Sequence, residues 1–277
     1  MRNGRSPRSE GSVLSCGFLF SPVLPRFFAL FALGVGLNLL LATFAQAKGN
    51  VELTLENGNL IVTGDDQENN IIVIRGCCDK VIVTGRAETT VNDSGSRFDV
   101  EGVTRDIIIN MKRGADFLRV EMVSGSAALA RNLRIQMGTG DDTIELLGVA
   151  VQNVTRIDTG NGNDIIFIDG VLNPNEYVRP DFRGGFRLET GSGDDLLEFH
   201  HALFRGAVNV SMGSGNDGVC NTEDSEFYRP SDAVFDGGPP TQLPATGLLH
   251  RLYTSRISLT SRTSLTTVRT WVVETDR

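Results

Sequence analysis

One short pattern, Gly-x-Gly-[Asp/Asn]-Asp followed by alternating apolar residues, recurs along this chain and constrains its fold more than any other feature. It runs Ile135-Gln-Met-Gly138-Thr-Gly140-Asp141-Asp142-Thr-Ile144-Glu-Leu146, then Ile157-Asp-Thr-Gly160-Asn-Gly162-Asn163-Asp164-Ile-Ile166-Phe-Ile168. Two further copies are Leu188-Glu-Thr-Gly191-Ser-Gly193-Asp194-Asp195-Leu-Leu197-Glu-Phe199 and Val210-Ser-Met-Gly213-Ser-Gly215-Asn216-Asp217-Gly-Val219-Cys-Asn221. A degenerate copy, Ile109 to Val120, keeps Gly114 and Asp116, and Asn69-Asn70 with Ile71 to Ile74 reads as an eroded sixth. The final Asp recurs at 116, 142, 164, 195 and 217, so the intervals are 26, 22, 31 and 22 residues.

Glycine recurs because a turn of four or five residues needs positive φ at some positions, which a Cβ makes costly. Apolar residues alternate on both sides of each turn, the period of half-buried strands. The resulting expectation is an all-β chain, a right-handed parallel β-helix (β-solenoid) with turns of about 22 residues. It should run from Val51 to Asp236 in about eight turns, with strands stacked ~4.8 Å apart. Leu118, Ile144, Ile166, Leu197 and Val219, two residues after each Asp, should stack inward. Phe117, Thr143, Ile165 and Leu196, one residue after, should form an outward, partly apolar column. The long third interval holds an insertion, roughly 169–184, read as a loop bulging from one turn.

Residues 1–47 read as a signal peptide: four Arg precede the apolar run Phe27 to Phe44, which ends in Ala45-Gln46-Ala47. The alternative is an uncleaved anchor, because that run approaches the length needed to span a bilayer. Residues 48–108, β-branched runs punctuated by Asn-Gly and Gly, read as capping strands, and 109–240 as the repeat solenoid. From Thr241 the pattern stops. The last 37 residues hold 13 Ser or Thr and only two acids, so 241–277 reads as an irregular or disordered tail or a translation artefact. A sorting-signal match there, Leu243-Pro-Ala-Thr-Gly247, lacks the apolar segment that should follow it.

The whole chain carries a formal net charge of −8, and loss of residues 1–47 makes it −11. That balance argues against a nucleic-acid partner. The localisation expected is secreted, extracellular or periplasmic, with no membrane contact after signal cleavage. Cys77, Cys78 and Cys220 make no disulfide framework and read as small buried thiols, or as a vicinal bond at Cys77-Cys78.

The repeat resembles the haemolysin-type, or RTX-like, calcium-binding repeats of secreted bacterial proteins, over about Ile109 to Asn221. The resemblance implies calcium held between stacked turns by carboxylates and glycine carbonyls. Carried over residue by residue, the metal positions are Asp142, Asp164, Asp195 and Asp217 with Gly138, Gly140, Gly160, Gly162, Gly191, Gly193, Gly213 and Gly215. The spacing departs from the family, which repeats every nine residues, and Met137, Thr159, Thr190 and Met212 stand where it has another Gly. Hydrogen bonds to turn amides are the alternative reason for each Asp.

Three functions are compatible with these features. One is a non-catalytic solenoid, structural or adhesive, binding a cell-surface or extracellular polysaccharide or a protein. The second is a polysaccharide-active enzyme of the pectate-lyase-like β-helix type, with Arg183 or Arg187 near Asp181 as the base. The third is a calcium-dependent module with a partner-binding face. Glu198, His200 and His201 could together ligate a metal, although an exposed polar face also explains them.

Overall fold

In the computed structural model the described residues are 49–75, 80–122, 128–173, 176–221, 225–229 and 232–237. The chain divides into two units, Met1–Phe44 and Ala45–Arg277, and the signal-peptide and tail readings fall outside the described residues. Among those described, no helix is long and apolar enough to cross a membrane.

The chain is all-β, with parallel strands in its sheets. It opens with β1 (Asn50–Glu56) and β2 (Asn59–Thr63), an antiparallel hairpin turned at Asn57-Gly58, both in the left-handed region. Next come β3 (Asn70–Arg75), β4 (Val81–Gly85), β5 (Thr90–Val91) and β6 (Arg97–Val100), in which β3, β4 and β6 pair antiparallel. Then the pattern becomes regular. β7 (Ile107–Asn110) and β8 (Phe117–Met122) are followed by the triplet β9 (Leu133–Thr139), β10 (Thr143–Leu147) and β11 (Ala150–Val151). β12 (Thr155–Asn161) and β13 (Ile165–Asp169) precede a hairpin of β14 (Val171–Asn173) and β15 (Glu176–Val178), and β16 (Asp181–Phe182) completes that triplet. β17 (Phe186–Glu189), β18 (Leu196–Phe199) and β19 (Leu203–Phe204) repeat it, as do β20 (Val208–Ser211), β21 (Gly218–Asn221) and β22 (Glu226–Phe227), before β23 (Ala233–Asp236).

Each member of a triplet joins a different sheet. The first sheet runs β23-β20-β17-β12-β9-β7-β2-β1-β5, the second β21-β18-β13-β10-β8-β3-β4-β6, and the third β11-β16-β19-β22. Nine strands at ~4.8 Å span about 38 Å. In the second sheet Ile71, Leu118, Ile144, Ile166, Leu197 and Val219 face one another in unbroken parallel register, and all are buried. The inward column read from the repeat is therefore present, and it begins one rung earlier. β2 and β3 pair in parallel with β7 and β8, so the stack reaches back into residues expected only to cap it. The antiparallel β1, β4 and β6 do the capping.

The core changes character along the stack. Its N-terminal rungs are Val, Ile and Leu, whereas the last rungs stack Phe182 on Phe204 (5.2 Å) and Phe204 on Phe227 (4.9 Å) in the third sheet. Strand spacing sets those ring separations, because equivalent side chains in parallel register repeat at the strand interval. The insertion is a correction to the sequence reading. It is the hairpin β14–β15, while Asp181 and Phe182 belong to the regular third sheet.

Candidate functional site

The Gly-x-Gly-[Asp/Asn]-Asp copies form the corner between the first and second sheets. Gly160 and Gly162 show why glycine is needed: their φ values are +98° and +136°, and a Cβ on either would fall on the carbonyl oxygen of Gly138 or Gly140 one rung before. The residue between them keeps the ladder going. Ser192 N–H donates to Gly160 O (3.0 Å), Ser214 N–H to Gly191 O (2.8 Å) and Gly162 N–H to Ser192 O (2.8 Å). Lys112 takes the first-glycine position in the degenerate copy at φ 74°, a backbone state that costs roughly 1–2 kcal/mol with a Cβ.

The Asp residues form a second ladder inside that corner. The amide of Asn69 donates to Asp116 Oδ1 (2.7 Å), that of Asp116 to Asp142 (2.8 Å), Asp142 to Asp164 (2.9 Å), Asp164 to Asp195 (2.9 Å) and Asp195 to Asp217 (3.1 Å). Every one of these carboxylates is buried, and in each the Oδ2 atom has no hydrogen-bond partner. Burial raises all five acids. It carries Asp116 and Asp142 to about 7 and Asp195 and Asp217 to about 6, and moves Asp164 in the same direction.

On the outer side of the corner the bonds run the other way. Asn163 N–H donates to Asp141 Oδ1, Asp194 N–H to Asn163 Oδ1, and Asn216 N–H to Asp194 Oδ1, each at 2.8 Å. Alternating Asp with Asn keeps two outer carboxylates from facing each other on neighbouring rungs. Successive rungs are thus tied by two side-chain-to-amide bonds of opposite direction.

These residues do not fit a calcium cage. Ca²⁺ takes six to eight oxygens. Here the buried side of each rung leaves one side-chain oxygen, the Asp Oδ2, without a partner, and the first-glycine carbonyls point along the stack into the next rung. Among the described residues no group of three or more His, Cys, Asp or Glu is placed to hold a metal ion. The inner Asp column is accounted for by the amide it accepts from.

A different patch gathers the chemistry that the regular rungs lack. Both Tyr and both His of the described residues, Tyr177, Tyr228, His200 and His201, lie around the ends of the second and third sheets. Tyr177, on the inserted hairpin, has its hydroxyl 2.8 Å from Asp169 Oδ1 and 2.8 Å from His201 Nδ1. A phenol carries one proton, so Tyr177 donates to the carboxylate and His201 Nδ1–H donates to the phenol oxygen. His201 reaches this place through a left-handed backbone, φ 53°.

From there the network continues through Arg179, whose Nε donates to His201 O (2.6 Å) and whose guanidinium pairs with Glu226 (2.7 Å). Tyr228 O–H donates to Glu226 (3.2 Å), and the Arg205 guanidinium lies 5.0 Å from the Tyr228 ring centroid. Arg205 and Arg183 both donate to Asp181, at 2.5 and 3.0 Å.

The structure separates residues that the sequence reading grouped. Arg183 and Asp181 are paired on the third sheet, whereas Arg187 lies on the first sheet and pairs with Glu189. Glu198 bonds His200 (2.9 Å), and His201 turns instead to Tyr177 and Asp169. Phe117, Thr143, Ile165 and Leu196 do align in one outward column, with Ile165 45% exposed. Cys220 is disulfide-bonded, its partner outside the described residues, which corrects the reading of it as a buried thiol. Asp169, Arg179, Arg205, Glu226 and Tyr228 were not singled out in sequence. The signal available was the longest interval together with the clustering of Tyr and His after it.

Comparison with protein-family models, with curated proteins and with solved structures finds no match to this chain.

Proposed function

We propose that this chain is a secreted, non-catalytic right-handed parallel β-helix, serving as a rigid structural or adhesive scaffold that presents one binding patch. The observation that carries this reading is the uninterrupted register of the inner column from Ile71 to Val219, with the Asp ladder beside it. A stack of this kind needs no catalytic group, because each rung buries its apolar residues only against its neighbours. The signal-like segment before Lys48 and the haemolysin-like pattern support export. The Asp ladder stands in this reading without calcium.

Amide hydrogen exchange on the purified chain tests the scaffold: protection of the Asp142, Asp164 and Asp195 amides in one cooperative block is expected, and free exchange of these amides overturns it. The enzymatic alternative has its own assay. Chelator-sensitive release of unsaturated sugars from polygalacturonate, lost in Arg187→Ala, would replace the scaffold reading with the lyase one.

A further inference from the structure

The network from Asp169 to Asp181 differs from the rest of the surface in two respects. Its charges balance, three guanidinium groups against three carboxylates: Arg179 pairs with Glu226, Arg183 and Arg205 share Asp181, and Asp169 accepts from Tyr177. Its members also hold one another, so donors and acceptors are fixed in direction before any ligand arrives, which lowers the ordering cost of binding. At the same time two aromatic rings stay open to solvent, Tyr228 at 51% and Tyr177 at 42%. Asp181 with Arg183, Arg205, and Glu226 with Tyr228 come from three successive rungs at β16, β19 and β22, about 10 Å in the stacking direction, while Tyr177 comes from the hairpin and Asp169 from β13.

We propose that this patch binds a neutral oligosaccharide, an inference that rests on the scaffold reading above. Vicinal sugar hydroxyls each offer a donor and an acceptor at close spacing, and every carboxylate–guanidinium pair here offers the complementary couple. The exposed Tyr rings supply flat surfaces for the apolar faces of pyranose rings. A polyanion is disfavoured because no net positive charge remains after pairing. A protein partner is disfavoured because, among the described residues, the open apolar surface here is Leu172 and the two Tyr rings, short of the contiguous apolar centre that such interfaces bury.

The test is isothermal calorimetry of the full chain against a panel of neutral oligosaccharides, soluble β-glucan, xylan, mannan and α-glucan fragments, with polygalacturonate as the polyanion. Expected is saturable binding to at least one neutral fragment, unchanged between 50 and 500 mM salt. Tyr228→Ala and Arg205→Ala should each weaken it at least tenfold, and Asn209→Ala, on the first sheet, should leave it unchanged. Binding to no neutral fragment, binding to polygalacturonate alone that disappears with salt, or affinity untouched by Tyr228→Ala overturns the proposal. Hydrogen exchange on the same samples separates the two readings: a protected Asp ladder in a chain that binds no sugar defeats only the sugar site, whereas loss of that protection defeats the scaffold.

Discussion

Raising the pH from 5 to 8 should destabilise this protein, and the Asp ladder is the reason. In the folded chain burial holds Asp116 and Asp142 near 7 and Asp195 and Asp217 near 6, whereas in the unfolded chain such groups titrate near ~3.9. Between those values the folded chain binds more protons than the unfolded one, so stability falls as pH rises through this window and levels off below about pH 4. Taken alone, ionising Asp142 costs on the order of 4 kcal/mol. The five groups are coupled, so the losses spread over a broad range and do not simply add. Between pH 5 and 8 one such group loses only the part of this above pH 5, about 3 kcal/mol, which lowers the melting temperature of a domain this size by roughly 6–12 °C. The matching perturbation is the triple variant Asp142→Asn, Asp164→Asn and Asp195→Asn. Each Asn keeps the Oδ1 acceptor and buries an amide donor, which costs about 1–3 kcal/mol if it finds no partner. Urea unfolding monitored by circular dichroism should therefore show the variant weaker than the parent at pH 5 and much less sensitive to pH, the gap closing or reversing by pH 8. A parent chain whose stability is flat or rises between pH 5 and 8 would refute the argument.

The remaining expectations use the same assays. Millimolar calcium should leave the melting temperature of parent and triple variant unchanged, and a calcium-dependent rise confined to the parent would restore the metal assignment carried over from the haemolysin-type resemblance. Ile166→Ala should cost about 2–5 kcal/mol by opening a cavity between Ile144 and Leu197, and Ile166→Asp should prevent folding. Gly160→Ala should cost more than the ~1–2 kcal/mol of left-handed strain, because its Cβ also meets the Gly138 carbonyl; near-neutral stability would mean that the rungs are not this close. Glu145→Ala, which removes the 2.6 Å pair with Arg119 on the outer face, should change stability by less than ~1 kcal/mol.

Much of the fold was legible because the repeat couples two independent signals, glycine where backbones nearly touch and apolar alternation where strands are half buried. Together they placed Ile144 and Ile166 in one inward column before any strand was seen. The N-terminal rung was harder to read, since Asn69 keeps the ladder position but Gly64 to Glu68 lacks the paired glycines. The hairpin β14–β15 reads as a loop in the sequence because residues 169–184 are rich in Pro and Asn and its two strands pair over only three residues each. At the corner the sequence left two reasons for each Asp open, and the geometry supplies the hydrogen-bonded one. Its donor is the amide of the preceding rung, 22 to 31 residues away, which no local turn rule names. The Tyr–His–Arg patch escaped for a related reason: Asp169, Tyr177, His201 and Glu226 are distant in sequence and meet only because three rungs and a hairpin are stacked.

The register and the ladder stand or fall together in one nuclear magnetic resonance measurement on the isotopically labelled chain, the scalar coupling across the hydrogen bond from the Asp142 amide nitrogen to the Asp164 carboxyl carbon. The two atoms belong to residues 22 apart, joined by a 2.9 Å bond from N to Oδ1. A resolved coupling for this pair, repeated for Asp116 with Asp142 and Asp164 with Asp195 and unaffected by calcium, is the result expected. No coupling to the next rung's carboxyl carbon, with these amides exchanging freely with solvent, would contradict the stacked arrangement.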